Sequence, residues 1–290
     1  MQWLENYKHK QKQKREQAQL KRLEKKHNAR LSGKAKKKCV TALCLGGGGA
    51  RGFAHIGAIK AFEEFGIDFD MVVGTSVGAL VGALYAGGIK ADKMMDTGAM
   101  LSMKDIKKGF FFQPDDSTKI GKIVTDILGD VDIEQLNKPF ACVATDLVQG
   151  RQIIFDSGKV GKAVSASATV PLFFKPIVDG ELHLVDGGLL NNIPADVARM
   201  MGAEVVITVD VNPTRGSGTS ETGLISVLKA TFDIMGANSS YHGLINSDII
   251  VAPDLSAYKS TAKDGFEEMY ALGYEEAKRK CDEIVRLTYK

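Results

Sequence analysis

The hydrophobic positions of this chain change their spacing at Cys39. Beyond it, short apolar runs alternate with longer segments of helical periodicity, which predicts strands interleaved with helices. Strands joined through helices form a largely parallel sheet with helices on both faces, so we expect an α/β fold. The predicted strands are 40–45, 71–73, 140–144, 152–155, 205–211 and 249–251, and a closing amphipathic helix is predicted over 266–287.

One segment of this pattern is long enough to be mistaken for a membrane span. Residues 71–89 are nineteen positions without a charge. Five of them are glycine, and the segment opens on a short β-branched run, so a buried strand, a tight turn and a buried helix are predicted instead.

Charge divides the chain into an arm and a body. Residues 1–38 hold fourteen Lys or Arg against three Glu, a net of +11, whereas the other 252 residues carry 24 basic and 32 acidic side chains, a net of −8. Residues 5–31 lack Gly and Pro and favour helix. We therefore predict a basic, helical or disordered arm over 1–38 and a folded domain over 39–290. Such an arm is typical of a solvated helix or of contact with an anionic membrane; nucleic acid is not expected, because no aromatic residues interrupt the basic run.

The cysteines and the N-terminus indicate the compartment. The four cysteines are scattered, without C-x-x-C pairs or neighbouring histidine clusters, so neither a disulfide framework nor a metal site is predicted. The N-terminus lacks the apolar core and cleavage site of a secretory signal. We expect a cytoplasmic protein, peripheral at most to the inner face of the membrane, without a signal peptide or a transmembrane span.

The candidate nucleophile lies in the segment Gly74-Thr75-Ser76-Val77-Gly78, which has the pattern G-x-S-x-G between a predicted strand and a predicted helix. A serine on such a turn points its hydroxyl out of the sheet, and the small flanking residues let the turn close. The helix that follows places a positive dipole end near a developing oxyanion. Because Gly and Ser also populate ordinary loops, a purely structural turn is the alternative.

A glycine-rich loop, residues 46–52, follows the first predicted strand, and its N–H groups could bind negative charge. Gly47, Gly49 and Gly52 satisfy the dinucleotide fingerprint G-x-G-x-x-G. The acid of that fingerprint would be Asp68 or Asp70. The other interpretation is an oxyanion hole for acyl transfer. Arg51 would fix the shape of the loop or bind a phosphate, and the residues alone leave both interpretations open.

A serine nucleophile needs a base, and the strongest candidate is Asp186 in Asp186-Gly187-Gly188. It ends a predicted hairpin, residues 177–185, whose turn we place at Asp179-Gly180. A carboxylate at a strand end, followed by two glycines, can be held close to a hydroxyl. Asp-Gly is also a common turn dipeptide, so a structural role is the alternative.

Three histidines compete with Asp186 for the role of base, and each has a simpler interpretation. His55 is expected to pack or hydrogen-bond on the first helix, and His183 to face away from Leu182 and Leu184 on its strand. His242 would complete the order Ser, Asp, His, but it follows no recognisable strand, so we expect a bystander.

These motifs occur in one order, the glycine loop with Arg51, the turn with Ser76 and then Asp186-Gly187-Gly188, and together they resemble the patatin-like phospholipase family. The resemblance spans about residues 39–255 and includes segments 144–147, 165–171 and 184–194. One departure is Gly46, which stands where plant patatins carry Asp.

The resemblance implies a three-layer α/β/α patatin-like fold with a largely parallel central sheet. It implies a catalytic dyad of Ser76 and Asp186, no required histidine, and an oxyanion loop of Gly47, Gly48 and Gly49 with Arg51. The implied reaction is hydrolysis of acyl esters of lipids or lysolipids, of the phospholipase A or lysophospholipase type, through an acyl-enzyme and without a metal or organic cofactor.

Alternatives to a lipid hydrolase are a dinucleotide-binding protein built on the loop Gly47–Gly52 and a non-catalytic lipid-binding regulator on the same scaffold. Contact with the lipid surface has its own candidate in the triplet 110–112, three Phe residues preceded by Lys104, Lys107 and Lys108. It is interpreted either as a lid or insertion patch or as part of the core.

Overall fold

The computed structural model describes residues 21–97, 118–171, 173–212 and 222–290. In chain order the strands are β1 (Thr41–Leu45), β2 (Met71–Thr75), β3 (Phe140–Asp146), β4 (Arg151–Phe155), β5 (Ile177–Asp179), β6 (Leu182–Asp186), β7 (Val205–Val209) and β8 (Ile249–Val251). The helices are α1 (Phe53–Phe65), α2 (Val77–Ala86), α3 (Thr118–Leu128), α4 (Val160–Ser167), α5 (Ala195–Met200), α6 (Leu224–Ile245) and α7 (Phe266–Thr288). Residues 21–31 and 91–97 are also helical.

These strands form one mixed sheet whose centre is parallel. Pairing runs β5-β6-β3-β2-β1-β7-β8, and β4 also pairs with β3. The contacts of β1 with β2 and β7, of β2 with β3 and of β7 with β8 are parallel, whereas β4, β5 and β6 pair antiparallel. The predicted parallel centre is therefore confirmed.

Apolar residues fill both sides of the sheet, which makes three layers. Leu43 and Phe62 belong to a core formed with α1, α2 and α7, whereas Cys44 and Val73 belong to a second core that includes α5. Strands buried on both faces read as continuous apolar runs, which is why they were visible in the sequence.

Strand β3 brings the two candidate catalytic residues together. β4 pairs with Cys142–Asp146 along one edge of β3. β2 and β6 therefore both pair along the other edge, one after the other. β2 ends with Thr75 opposite Val143, and β6 arrives from the other direction and ends with Asp186 opposite Ala144. The last residues of the two strands thus lie about one residue step, roughly 3.3 Å, apart along β3.

Residues 21–38 contact the body on the side of the sheet where the parallel strands have their amino ends. Arg30 Nε donates to the Phe65 carbonyl at 3.0 Å, and Lys37 Nζ forms a 2.8 Å ion pair with Asp70. These contacts lie at the amino ends of β1 and β2, whereas the glycine loop and Ser76 follow their carboxyl ends. The second half of the arm is therefore attached away from Ser76. Its first half, residues 1–20, lies outside the described residues, so membrane contact stays a prediction.

The uncharged segment 71–89 forms β2, a tight turn and α2, as predicted. In the part of the chain that the structure describes, no helix combines the length and the apolar composition needed to cross a membrane. The triplet 110–112, with its lysines, lies outside that part.

Two local expectations differ from the structure. The hairpin turn lies one residue later than predicted, because Asp179 pairs with Leu182 and leaves Gly180 and Glu181 as the loop. Gly180 takes the positive φ of 62° that this turn needs. Helix α6 was not predicted at all, and several of its apolar residues, among them Leu224 and Met235, are exposed.

Candidate active site

Ser76 lies on a strained turn. Its φ of 56° is the one positive value at a non-glycine residue among the described residues, and strain of this kind is typical of a nucleophile on a strand-to-helix turn. The Ser76 N–H donates to Ser167 Oγ at 2.9 Å, which gives this buried amide an acceptor. The residue is only 7% exposed.

The glycines on either side of Ser76 are set by space. A Cβ on Gly74 would collide with the backbone of Gly78, and a Cβ on Gly78 would collide with the carbonyl of Leu45. Both positions of the G-x-S-x-G pattern therefore have a steric reason, as the sequence predicted.

Asp186 is buried beside this turn. Its Oδ1 accepts from the Gly188 N–H at 2.7 Å, and its own N–H donates to the Thr169 carbonyl at 2.8 Å. Burial raises the pKa of Asp186 to about 6, although hydrogen bonding to the Ser76 hydroxyl and to the Gly188 N–H lowers it. Oδ2 has no partner at standard hydrogen-bond geometry among the residues described.

The first four amides of the glycine loop fall into two pairs. Gly46 N–H donates to the Val209 carbonyl at 3.2 Å, and Gly47 N–H donates to the Asn192 carbonyl at 3.1 Å. No hydrogen bond within the described part of the chain uses the amides of Gly48 or Gly49. This differs from the expectation that three amides face an oxyanion, because the Gly47 amide already has an acceptor.

Gly47 has a spatial role instead. A Cβ at this position would lie 3.3 Å from Ser76 Cβ and 2.5 Å from Asn192 Oδ1. Only glycine lets the loop come this close to the serine.

Arg51 braces the loop from outside. Its Nε donates to the Tyr258 carbonyl at 2.8 Å, and its Nη1 donates to Asn212 Oδ1 at 2.6 Å. Asn212 Nδ2 in turn donates to the Gly47 carbonyl. Of the two roles considered for Arg51, these contacts support fixing the shape of the loop.

His55 supports the glycine loop through a buried hydrogen bond. It is fully buried, and its Nε2 lies 2.8 Å from the Gly46 carbonyl. Burial lowers the pKa of His55 to about 4, so the ring is neutral and Nε2 carries the proton that it donates. This agrees with the predicted local hydrogen bond.

The other two histidines do not approach the buried serine. His183 is exposed on β6 between the less exposed Leu182 and Leu184, as predicted from the alternation. His242 lies on α6 with its side chain 72% exposed, 3.9 Å from Asp196.

The dinucleotide interpretation fails on geometry. Asp68 and Asp70 precede β2 and therefore lie at the amino edge of the sheet, across from the glycine loop. Asp70 is bound by Thr41 and Lys37, and Asp68 by Lys138. Neither carboxylate can reach a ribose at the loop.

Sequence reasoning missed a set of polar residues that hold the site together. Asn192 Nδ2 donates to Ser240 Oγ at 3.1 Å, and Ser239 Oγ donates to the Gly188 carbonyl at 2.7 Å. Ser167 supports Ser76 as described above. Ser167 and Asn192 lie in the segments 165–171 and 184–194, which resemble the family, but a single serine or asparagine carries no pattern of its own.

An apolar cavity of about 100 Å³ opens beside these groups. It begins at Gly49 and at Val77, the residue after Ser76, and continues along α2 to Leu84, about 10 Å further at 1.5 Å per residue. Its other walls come from α1, α3 and the helix 91–97, and the lining residues are Gly52, Phe53, Ile56, Leu80, Val81, Met94, Thr97, Ile123 and Ile127.

The described residues hold no cluster of three or more His, Cys, Asp or Glu side chains able to bind a metal ion.

Comparison with known proteins places the chain in a family. Residues 43–199 match the patatin-like phospholipase family. An uncharacterized NTE family protein of Mycobacterium tuberculosis is 36% identical over 216 residues, which cover 68% of this chain and 59% of that protein. Patatin-like phospholipase domain-containing protein 6 of Homo sapiens is 37% identical over 181 residues, which cover 59% of this chain and 13% of that protein. The chain thus spans less than two thirds of the length of these relatives.

The fold agrees with that assignment. The crystal structure of VipD from Legionella pneumophila superimposes with a TM-score of 0.51 at 14% identity, covering 86% of this chain and 68% of that chain. The family match covers more than half of the sequence and contains the glycine loop, Ser76 and Asp186, so the chain belongs to the patatin-like phospholipase family.

Proposed function

We propose that this protein hydrolyses acyl esters of lipids with Ser76 as nucleophile and Asp186 as base. The observation that carries the proposal is the placement of a strained serine beside a buried carboxylate whose pKa is raised to about 6. A base of this pKa is ionised at neutral pH yet still basic enough to accept a proton. Membership of the family supports the lipid ester as the substrate class.

The first half of the proposed reaction forms an acyl-enzyme. Asp186 accepts the Ser76 hydroxyl proton while Oγ attacks the ester carbonyl. The amides of Gly48 and Gly49 and the N-terminus of α2 stabilise the oxyanion. When the tetrahedral intermediate collapses, the C–O bond of the ester breaks and the leaving alcohol takes the proton from Asp186.

The second half restores the serine. Asp186 accepts a proton from water, which attacks the acyl-enzyme through the same oxyanion site. Collapse releases the fatty acid, and the proton returns to Ser76 Oγ. Each step uses groups of the chain and water, so the dyad needs neither histidine nor a cofactor.

The acyl chain has a place in this proposal. The apolar cavity starts at Gly49 and Val77, next to both the oxyanion amides and the nucleophile. A lipid acyl group bound as an ester at Ser76 would leave water by entering it, which is favourable by about 0.8 kcal/mol per buried methylene.

The first prediction tests the dyad. Wild type should react with a fluorophosphonate probe at Ser76, identified by mass spectrometry, and hydrolyse a soluble p-nitrophenyl ester. Ser76→Ala should abolish both, and Asp186→Asn should reduce hydrolysis by at least about 10²-fold, because a general base is lost. His242→Ala is the control and should keep wild-type activity.

Two outcomes would contradict the dyad. Full activity in Asp186→Asn with loss of activity in His242→Ala would mean a triad. An unlabelled Ser76 would favour the non-catalytic lipid-binding alternative.

The second prediction concerns pH. The pKa of Asp186 is about 6 and the reaction needs its carboxylate, so kcat/KM for a soluble ester should fall about tenfold per pH unit below 6 and level off above it. A profile that is flat between pH 5 and pH 7 would contradict this.

Stability should change with pH in the opposite direction. The folded pKa of Asp186 lies above 3.8, so the folded state holds this proton more tightly than the unfolded state, and the resulting stability is lost as pH rises through about 6. Asp186→Asn removes the buried charge. Its free energy of unfolding at pH 8 should therefore exceed that of wild type by up to about 3 kcal/mol, measured by urea titration.

The third prediction tests the support of the nucleophile. Ser167→Ala leaves the buried Ser76 amide without an acceptor, so kcat should fall roughly 10- to 100-fold with little change in KM. Ser165→Ala is a matched control, because Ser165 is buried on the same helix and its Oγ accepts the Gly121 N–H at 3.0 Å, away from the turn. Equal kcat loss in both variants would reduce Ser167 to a general packing role. Partial recovery in Ser167→Thr, which keeps the hydroxyl, would support positioning.

The fourth prediction tests the acyl cavity. Leu84→Trp fills its far end, so kcat/KM should fall at least about tenfold for a long-chain p-nitrophenyl ester and stay within about twofold for the butyrate. The butyrate reaction is the internal control for folding. The same chain-length profile as wild type would show that the acyl chain lies elsewhere.

A further inference from the structure

Helix α6 presents apolar side chains to solvent over its N-terminal half. Leu224 is 74% exposed, and Leu228 and Met235 are each more than 40% exposed. Further along the helix, Ser239 and Ser240 bond to the segment 188–192 as described above. A surface helix usually keeps its large apolar side chains toward the core, so exposed Leu224, Leu228 and Met235 are notable.

The exposed half of α6 lies on the side of the sheet where the parallel strands have their carboxyl ends, which is the side that carries the candidate site. α6 connects the carboxyl end of β7 to the amino end of β8, so it begins on the same side as the glycine loop and Ser76. It meets the site at Ser239, whose Oγ donates to the Gly188 carbonyl at 2.7 Å. The residues before Gly236 amount to about 18 Å of helix at 1.5 Å per residue.

Two other elements expose apolar residues on this side. Leu190, directly after Asp186-Gly187-Gly188, is 42% exposed. Leu147 and Val148, which follow the carboxyl end of β3, are at least half exposed. We call the exposed residues of these three elements, Leu224, Leu228, Met235, Leu190, Leu147 and Val148, the apolar rim.

Ion pairs lie on the opposite side of the sheet, where the parallel strands have their amino ends. Lys37 pairs with Asp70, Lys138 with Asp68 and Arg199 with Asp248, all at amino ends of strands. The described part of the basic arm is docked there as well. The exposed apolar residues around the site come from three elements, whereas the amino ends carry these ion pairs, the arm and two exposed apolar residues, Met200 and Ile245. A protein that rests on a lipid surface would therefore do so by the end that carries the site.

We propose that the apolar rim enters the lipid–water interface and brings the opening at Ser76 to its substrate. A lipid surface is favoured over a second copy of the chain, because the rim is built from three separate elements around the site rather than from one self-complementary stripe. The choice of lipid rests on the proposed function. The contact is apolar, so it does not depend on anionic headgroups or on the basic arm.

Vesicle binding tests the rim without catalysis. The full chain carrying Ser76→Ala is sedimented with phosphatidylcholine vesicles at about 1 M NaCl, where charges more than roughly 3 Å apart are screened and the arm contributes little. Leu224→Gln, Leu228→Gln and Met235→Gln together should lower the partition coefficient at least about tenfold. The control combines Met200→Gln and Ile245→Gln, which are 74% and 84% exposed on the other side of the sheet, and it should bind as wild type does.

A second measurement locates the inserted surface. The chain has one tryptophan, Trp3, so Trp3→Phe gives a silent background. In it, Leu228→Trp should shift its fluorescence to the blue when vesicles are added, and Ile245→Trp should not.

Three results would overturn the proposal: no binding of wild type to these vesicles, equal partitioning of the rim and control variants, or a wild-type dimer in solution that the rim substitutions dissociate. Hydrolysis of a soluble ester by the enzymes with Ser76 intact is assayed in parallel and should not change in either variant. If wild type binds through the rim but hydrolyses no ester, the proposed function fails and the lipid surface stands.

Discussion

The site depends on the way in which two strands share one edge of β3. β2 arrives parallel and stops at Thr75, and β6 arrives antiparallel and stops at Asp186, on adjacent positions of the same strand. The backbone hydrogen bonds of β3 therefore fix the distance between the residues that follow and end these strands. No side chain has to bring Ser76 and Asp186 together, so the side chains around them are left to tune their chemistry.

Both residues are held in states that an isolated chain would avoid. Ser76 has a backbone conformation that is rare outside glycine, and Asp186 is a carboxyl group 2% exposed. Strain and a buried charge persist only where the surroundings over-determine them. Here the surroundings are backbone and neutral polar groups: Ser167 binds the Ser76 amide, and Gly188 and Thr169 fix Asp186.

Some of the support for the glycine loop lies outside the segment that matches the family. Arg51 reaches across to Asn212 and to the Tyr258 carbonyl, and Ala50 N–H donates to the Ser260 carbonyl at 2.8 Å. The matched segment ends at residue 199. The matched segment thus contains Ser76 and Asp186, whereas later residues of this chain hold the glycine loop in place.

Local patterns in the sequence were enough to predict the parallel sheet, the tight turn at Ser76 and the family. Buried strands read as apolar runs, and a tight turn reads as glycines at fixed spacing. The packed molecule was needed to show that Asp68 and Asp70 lie across the sheet from the glycine loop. It also shows that the Gly47 N–H donates to the Asn192 carbonyl and that apolar residues of α6 are exposed. Each of these depends on what approaches from a distant part of the chain. Hydrogen-bond partners and burial are properties of the packed molecule, and residue spacing alone does not encode them.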